Sequence, residues 1–287
     1  MKLMIKVFII LASVTALVAY FLNKPFASET KADKHTSNKN GLQMLTALPS
    51  QVKESSGIAV LSEQGQYITQ NDAGNKPYLY KINEKGNLLE TIKLDLPNVD
   101  WEDLSRDDEG NIYIADTGNN DNNRRELAIY KVNPENPSEL EAIRFTYEDQ
   151  KEYPPAKKDM NFDCEAIFWH NGTIYLVSKD RGRKQTAKVY SLSDKQGQQK
   201  AKLLGSVELK GEVTGAALSP EADKIALLTE GKLHLFSDVS DPATFYKDQF
   251  QTIPLKDAGQ TEGIAFEDAN TLVITSEGGN LYKYSLN

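Results

Sequence analysis

Thr261-Glu262-Gly263-Ile264-Ala265 is the last of five versions of one short phrase. The earlier ones are Ser56-Gly57-Ile58, Glu102-Asp103-Leu104, Glu165-Ala166-Ile167 and Thr214-Gly215-Ala216. Their first positions are 46, 63, 49 and 48 residues apart. Self-similarity at that period signals a propeller or another repeat array. Each phrase opens an apolar, strand-like run, and each begins with a hydroxyl or a carboxylate.

A second strand follows every phrase: Gln66 to Thr69, Asn111 to Ala115, Thr173 to Val177, Lys224 to Leu228 and Thr271 to Thr275. Turn signals such as Asp108-Glu109-Gly110-Asn111 and His170-Asn171-Gly172 precede them. Third strands are expected at Tyr78 to Ile82, Leu127 to Val132, Ala187 to Leu192, Leu233 to Phe236 and Leu281 to Leu286. Fourth strands are expected at Leu88 to Leu96, Ala142 to Tyr147, Leu203 to Leu209 and Phe250 to Leu255. Four short strands per unit make a propeller blade. The fifth unit ends at Asn287 without a fourth strand, and Leu42 to Pro49 offers one. The expectation is an all-β, five-bladed β-propeller over residues 42–287, its last blade closed by the N-terminal strand at about 42–49. Closure removes the open edges of the array. No long helical period occurs after residue 22, and the extra length of the second unit falls in Glu148 to Asn161.

The chain has 287 residues and a net charge of −8. That charge argues against nucleic acid, since nothing here neutralises a run of phosphates. Cys164 is the only cysteine, so no intrachain disulfide forms, and the three histidines make no zinc-type cluster. Residues 1–23 read as an apolar helix behind a positive start: Lys2 and Lys6 precede sixteen uncharged residues, Val7 to Leu22. This is an export segment, either a cleaved signal or an uncleaved membrane anchor. Residues 24–41 read as a polar linker. The remainder is placed outside the cytoplasm, anchored at the inner membrane and facing the periplasm, or periplasmic or secreted if the segment is cleaved. The chain is read as a monomer.

First strands of blades line the central channel. Ser56, Glu102, Glu165, Thr214 and Glu262 therefore form a ring, and three carboxylates around a narrow axis shift their pKa values or recruit a cation. Hard oxygen ligands point to calcium; capping of nearby backbone N–H groups is the alternative. A second register follows 14 to 16 residues later, with Asp72, Asp116, Lys179, Asp180, Glu230 and Glu277 at the same mouth. Asn119 and Arg181 lie beside it, as do Arg124, Arg125 and Arg183. Asx-rich turns are also common in plain loops. Cys164 precedes Glu165 and should point away from the channel, between blades. No GxSxG phrase supports serine hydrolase chemistry.

On the phrases Ser56-Gly57-Ile58, Asp163-Cys164-Glu165-Ala166-Ile167, Val213-Thr214-Gly215-Ala216, Thr261-Glu262-Gly263-Ile264-Ala265 and Asn280-Leu281-Tyr282-Lys283-Tyr284, residues 42–287 resemble the SdiA-regulated family of exported bacterial propellers. An N-terminal membrane segment fits that family too. The ring register alone is similar to the axial calcium ring of five-bladed calcium-dependent apyrases. That likeness implies calcium through Ser56, Glu102, Glu165, Thr214 and Glu262, without a catalytic set. Three functions stay open. One is a cell-envelope module binding an unknown ligand or protein at the channel mouth. Another is a calcium-dependent hydrolase of phosphate anhydrides or esters, which needs arginines converging on the acids. The third, a lactonase or esterase, needs a sixth blade and a base at the mouth.

Overall fold

The computed structural model describes residues 41–286. The segment read as an export helix, and almost all of the linker, lie outside the described residues. Among those described, no helix is long and apolar enough to cross a membrane. Twenty strands dominate: β1 (Leu42–Ala47), β2 (Ser55–Val60), β3 (Gln66–Asn71), β4 (Tyr78–Asn83), β5 (Leu88–Lys93), β6 (Trp101–Arg106), β7 (Ile112–Asp116), β8 (Leu127–Asn133), β9 (Asn136–Tyr147), β10 (Asp163–His170), β11 (Thr173–Lys179), β12 (Thr186–Ser193), β13 (Gly197–Glu208), β14 (Val213–Leu218), β15 (Ile225–Thr229), β16 (Lys232–Phe236), β17 (Phe250–Pro254), β18 (Thr261–Asp268), β19 (Thr271–Ser276) and β20 (Asn280–Ser285). Two single 3₁₀ turns, Lys157–Asp159 and Phe245–Lys247, are the helical residues described.

Strands pair as antiparallel meanders in three four-stranded sheets and one of eight. β1 pairs with β20, so the N-terminal strand completes the sheet built from the C-terminal end of the chain. The sequence reading has every unit as its own sheet. The structure differs at one place, where β9 and β13 are twelve residues each and run on past their expected starts. Gly197–Ala201 pairs in parallel with Ile143–Tyr147, which joins two meanders into one sheet. Two outer edges that would otherwise face water satisfy each other this way.

The first strands of the meanders, β2, β6, β10, β14 and β18, touch one another in a closed cycle, β18 against β2 included. The fold is thus an all-β ring of propeller type. Its core is not central. Five apolar clusters each lie between two neighbouring meanders: Trp101 and Leu104 with Ile68 and Leu79, Cys164 and Ile167 with Ile129 and Phe145, Phe168 and Val189 with Leu227 and Phe236, and so on to Tyr67 and Ile82 with Val273 and Leu281. Cys164 sits between meanders as expected, as does Trp101, and burial pushes the Cys164 thiol up to about 12, away from reactivity.

At the axis the chain runs out of room. A Cβ at Gly215 would lie 2.2 Å from the carbonyl oxygen of Glu262, and one at Gly57 2.5 Å from the Leu104 nitrogen. A Cβ at Gly263 would meet the Gly57 backbone at 2.9 Å. The second position of the repeated phrase is glycine or alanine in four copies because the neighbouring inner strand lies there. The exception is Asp103, fully buried, which accepts from Leu104 N–H (2.8 Å), from Ile167 N–H on β10 (2.8 Å) and from Ala216 N–H on β14. Its carboxylate ties three inner strands together across the axis. Gly215→Ala should cost about 1–3 kcal/mol by overpacking. Gly278→Ala, whose Cβ would have no neighbour nearer than 3.4 Å, should be near neutral. Denaturant midpoints of the two variants check this.

Candidate acidic mouth

All five first positions fall in a β-bulge. The pairing register slips across Ser56, Glu165 and Thr214, and across the stretches that hold Glu102 and Glu262. A bulge leaves a residue without a ladder partner and re-aims its side chain. Here it turns the same register inward five times. All five residues are buried, and Ser56, Glu102, Glu165 and Glu262 line one cavity of ≈ 230 Å³ at the end of the ring where the inner strands begin. Thr214 is not among its lining residues; its hydroxyl donates to the Thr261 carbonyl at 2.8 Å.

The second register divides. Asp72, Lys179, Arg181 and Glu277 line the cavity. Asp116 does not: it is buried under the loop, accepting from Val99 and Asp100 N–H at 3.3 Å and from Arg124 at 2.9 Å. Asn119 is a loop brace, donating its N–H to Asp163 at 2.6 Å and its amide to the Phe162 carbonyl. Asp180 accepts from the N–H groups of Gly182, Arg183, Gln185 and Thr186, and so shapes its own turn. Glu230 is exposed and does not line the cavity. Of the arginines, only Arg181 converges on the mouth; Arg183 is exposed beside Asp159.

Two places before each first position stand Glu54, Asp100, Asp163, Glu212 and Gln260; Glu54 and Gln260 line the cavity, and Asp100 and Asp163 join the carboxylates beside it. The sequence reading leaves this tier out as a ring. The signal is a polar or acidic residue at the same offset in every copy. Asp72, Asp100 and Glu102 bring carboxylate oxygens within 4.8 Å of one another, and Glu102, Asp163 and Glu165 do the same. The second group is buried throughout, while Asp72 and Asp100 of the first are half-buried; acids that close together can hold a metal ion.

The two triads are compensated differently. Lys179 reaches Glu165 at 2.5 Å, and Arg181 spans Glu165 at 2.7 Å and Asp163 at 2.6 Å, with a further bond to Asn120. Burial works against both cations, but these carboxylates hold Lys179 and Arg181 above their ordinary values. Glu102 is only 7% exposed, yet its carboxylate accepts no hydrogen bond and makes no ion pair with any described residue. Burial, then Glu165 and the neighbouring aspartates, push its carboxyl well up. Burial and Asp72 lift Asp100 to about 6. Burial lifts Glu262 to about 7, while Lys179 and Gln260 pull the other way. Gly118 packs against this corner; a Cβ there would come within 2.2 Å of Glu102 Oε1 and 2.3 Å of Asp100 Oδ2.

No protein-family model matches the chain, and no curated protein matches it. Among solved structures, the chain is similar to a gluconolactonase from Xanthomonas campestris (14% identity, TM-score 0.49, covering 86% of this chain and 89% of that one). It is similar to a streptogramin B lyase (11%, TM-score 0.46, covering 86% and 97%). A third is the virginiamycin B lyase of Staphylococcus aureus (12%, TM-score 0.40), where 80% of this chain covers 66% of that one.

A raised carboxyl has a definite pH signature. The folded protein keeps the Glu262 proton from the usual 4.5 up to about 7. Stability from this group is full below 4.5 and is lost as pH rises through 7. The gap corresponds to about 3 kcal/mol at full extent. His234, buried between Thr229 and Thr252 and pushed down to about 4, acts with the opposite sign below 6.5. The comparison is therefore between variants at one pH. In chelator, Glu262→Gln should match wild type near about pH 4 and exceed it by roughly 2–3 kcal/mol near about pH 8. A difference that does not grow with pH would rule out the assignment.

Proposed function

We propose that the protein is a five-bladed β-propeller of the cell envelope whose acidic mouth holds one calcium ion, and that it binds a ligand or a protein partner there. The eight-stranded sheet is then two blades joined through β9 and β13. The reading is of the SdiA-regulated type. Its placement at the envelope rests on the apolar stretch before residue 23. The observation that carries the ion is Glu102: a largely buried side chain facing the cavity, whose carboxylate no described residue hydrogen-bonds or pairs with, among acids whose repulsion a divalent cation would cancel. Six carboxylates line the cavity against two cations, Lys179 and Arg181. All candidate ligands are hard oxygens, with no histidine or cysteine in the acidic groups, which favours calcium over zinc or copper.

One feature favours a second reading, a metal-dependent hydrolase of phosphate anhydrides or esters. Lys179 and Arg181 line the same cavity as the acids, so an anionic group could meet a bound ion on one side and these cations on the other. Glu262, near neutral in its pKa, could then move a proton at working pH. Arg124 is committed to Asp116, which leaves this reading fewer cationic groups than the sequence promises. A lactonase or esterase would use the same ion to polarise a carbonyl.

Thermal unfolding of the full chain in mild detergent tests the ion. Calcium at about 100 times its Kd should stabilise the fold by about 2.7 kcal/mol. Glu102→Gln should abolish the response. An unchanged wild-type midpoint at millimolar calcium would sink the reading. Calcium-dependent phosphate release from a nucleoside diphosphate, lost in Lys179→Met while the calcium shift remains, would select the hydrolase.

A further inference from the structure

The mouth offers two carboxylate triads that share Glu102, and they are not equivalent. In the triad toward the third meander, every acid but the shared one is neutralised from within the fold. Asp163 takes Arg181 Nε and the Asn119 N–H; Glu165 takes Lys179 and Arg181. A cation entering there would have to displace two positive side chains that are themselves partly buried. In the triad toward the first meander, no described lysine or arginine forms an ion pair with any member; Lys179 and Arg124 act on Asp72 and Asp100 only from a longer distance. Among the described residues, the Asp72 carboxylate receives only the N–H of the next residue, Ala73, at 2.5 Å. No described hydrogen bond reaches the carboxylates of Asp100 or Glu102. The Glu102 side chain, over nine-tenths buried, has an oxygen within 4.8 Å of those of Asp72 and Asp100.

Two of the remaining ring residues already have partners. Thr214 is spent on the Thr261 carbonyl, and Glu262 is held by the Gln260 amide at 3.0 Å. Below the ring, Asp103 and the inner-strand backbones occupy the centre.

From this partition we infer that the cation binds off the axis, held by Asp72, Asp100 and Glu102 between the first and second meanders, and not by the five-membered ring of first positions. The inference rests on the calcium reading above and refines it. Asp72 directly follows the second strand of one meander, Asp100 directly precedes the first strand of the next and Glu102 lies within it, so the ion bridges two blades. Gly118, the residue that leaves room beside Glu102 and Asp100, belongs to the site for the same reason. Three carboxylates supply at most six oxygens, and water or a ligand oxyanion from the cavity completes a shell of six to eight. Lys179 and Arg181 stay with Asp163 and Glu165 when the ion is bound, available from the opposite wall to an anionic ligand.

Calcium titration calorimetry on the full chain in mild detergent separates the possibilities. Asp72→Asn with Asp100→Asn should weaken binding about 100-fold or more, because affinity follows the number of charged ligands. Ser56→Ala with Glu262→Gln should leave it within about threefold. Both double variants relieve or spare the repulsion, so the metal-free midpoint of the first should rise, which also reports that it folds. Should it fail to fold, Asp72→Asn alone, at a half-buried strand end, carries the same comparison. The reverse pattern, loss in the ring variant and none in the triad variant, overturns the off-axis site and leaves the calcium reading standing. No calcium binding by wild type overturns both.

Discussion

The distance between inner strands governs this molecule. Where Gly57, Gly215 and Gly263 face the next strand, backbone meets backbone with no space for a methyl group. Such an approach is possible only if each meander buries both of its faces against neighbours, and the five apolar clusters between meanders supply that burial. Tight spacing at one level forces crowding at the next. The bulged residues one step up the strands are acids and hydroxyls, brought together by the same closure that excludes water from between the sheets.

Electrostatics at the mouth follow from that crowding. Carboxylates that would be unremarkable on a loop are here desolvated and within reach of one another, so burial is the largest influence on Glu102, Asp100 and Glu262 alike. The fold answers part of the repulsion with Lys179 and Arg181, which approach from the third meander only. The asymmetry is a product of sequence, not of architecture: the ring supplies equivalent positions, and the residues placed on them break the equivalence.

Much of the architecture is legible from residues alone. The repeated phrase locates all five inner strands, and the spare strand at Leu42 identifies the closing partner of β20. The parallel seam between β9 and β13 is not legible, because it depends on how two outer edges meet in space, not on any pattern within either strand. At the site, alternation and register bring out the ring, but not which carboxylates are already paired. Asp116, Asn119 and Asp180 share composition and position with Asp72, yet they bend inward to brace their own loops, a choice made by backbone N–H groups that sequence does not display. Asp100 and Asp163 are overlooked for a simpler reason: each stands before the phrase, not within it.

Asp103 gives the ring a floor. Its carboxylate is bonded to three inner strands, one residue along from Glu102 of the acidic mouth, where the glycine backbones close in. A second, larger cavity of ≈ 520 Å³ lies along the other ends of the same strands, lined by Leu104, Phe168, Leu218 and Phe266, and shares no lining residue with the first. The two ends of the inner strands therefore present cavities of different lining, and a ligand suited to one finds none of its residues in the other.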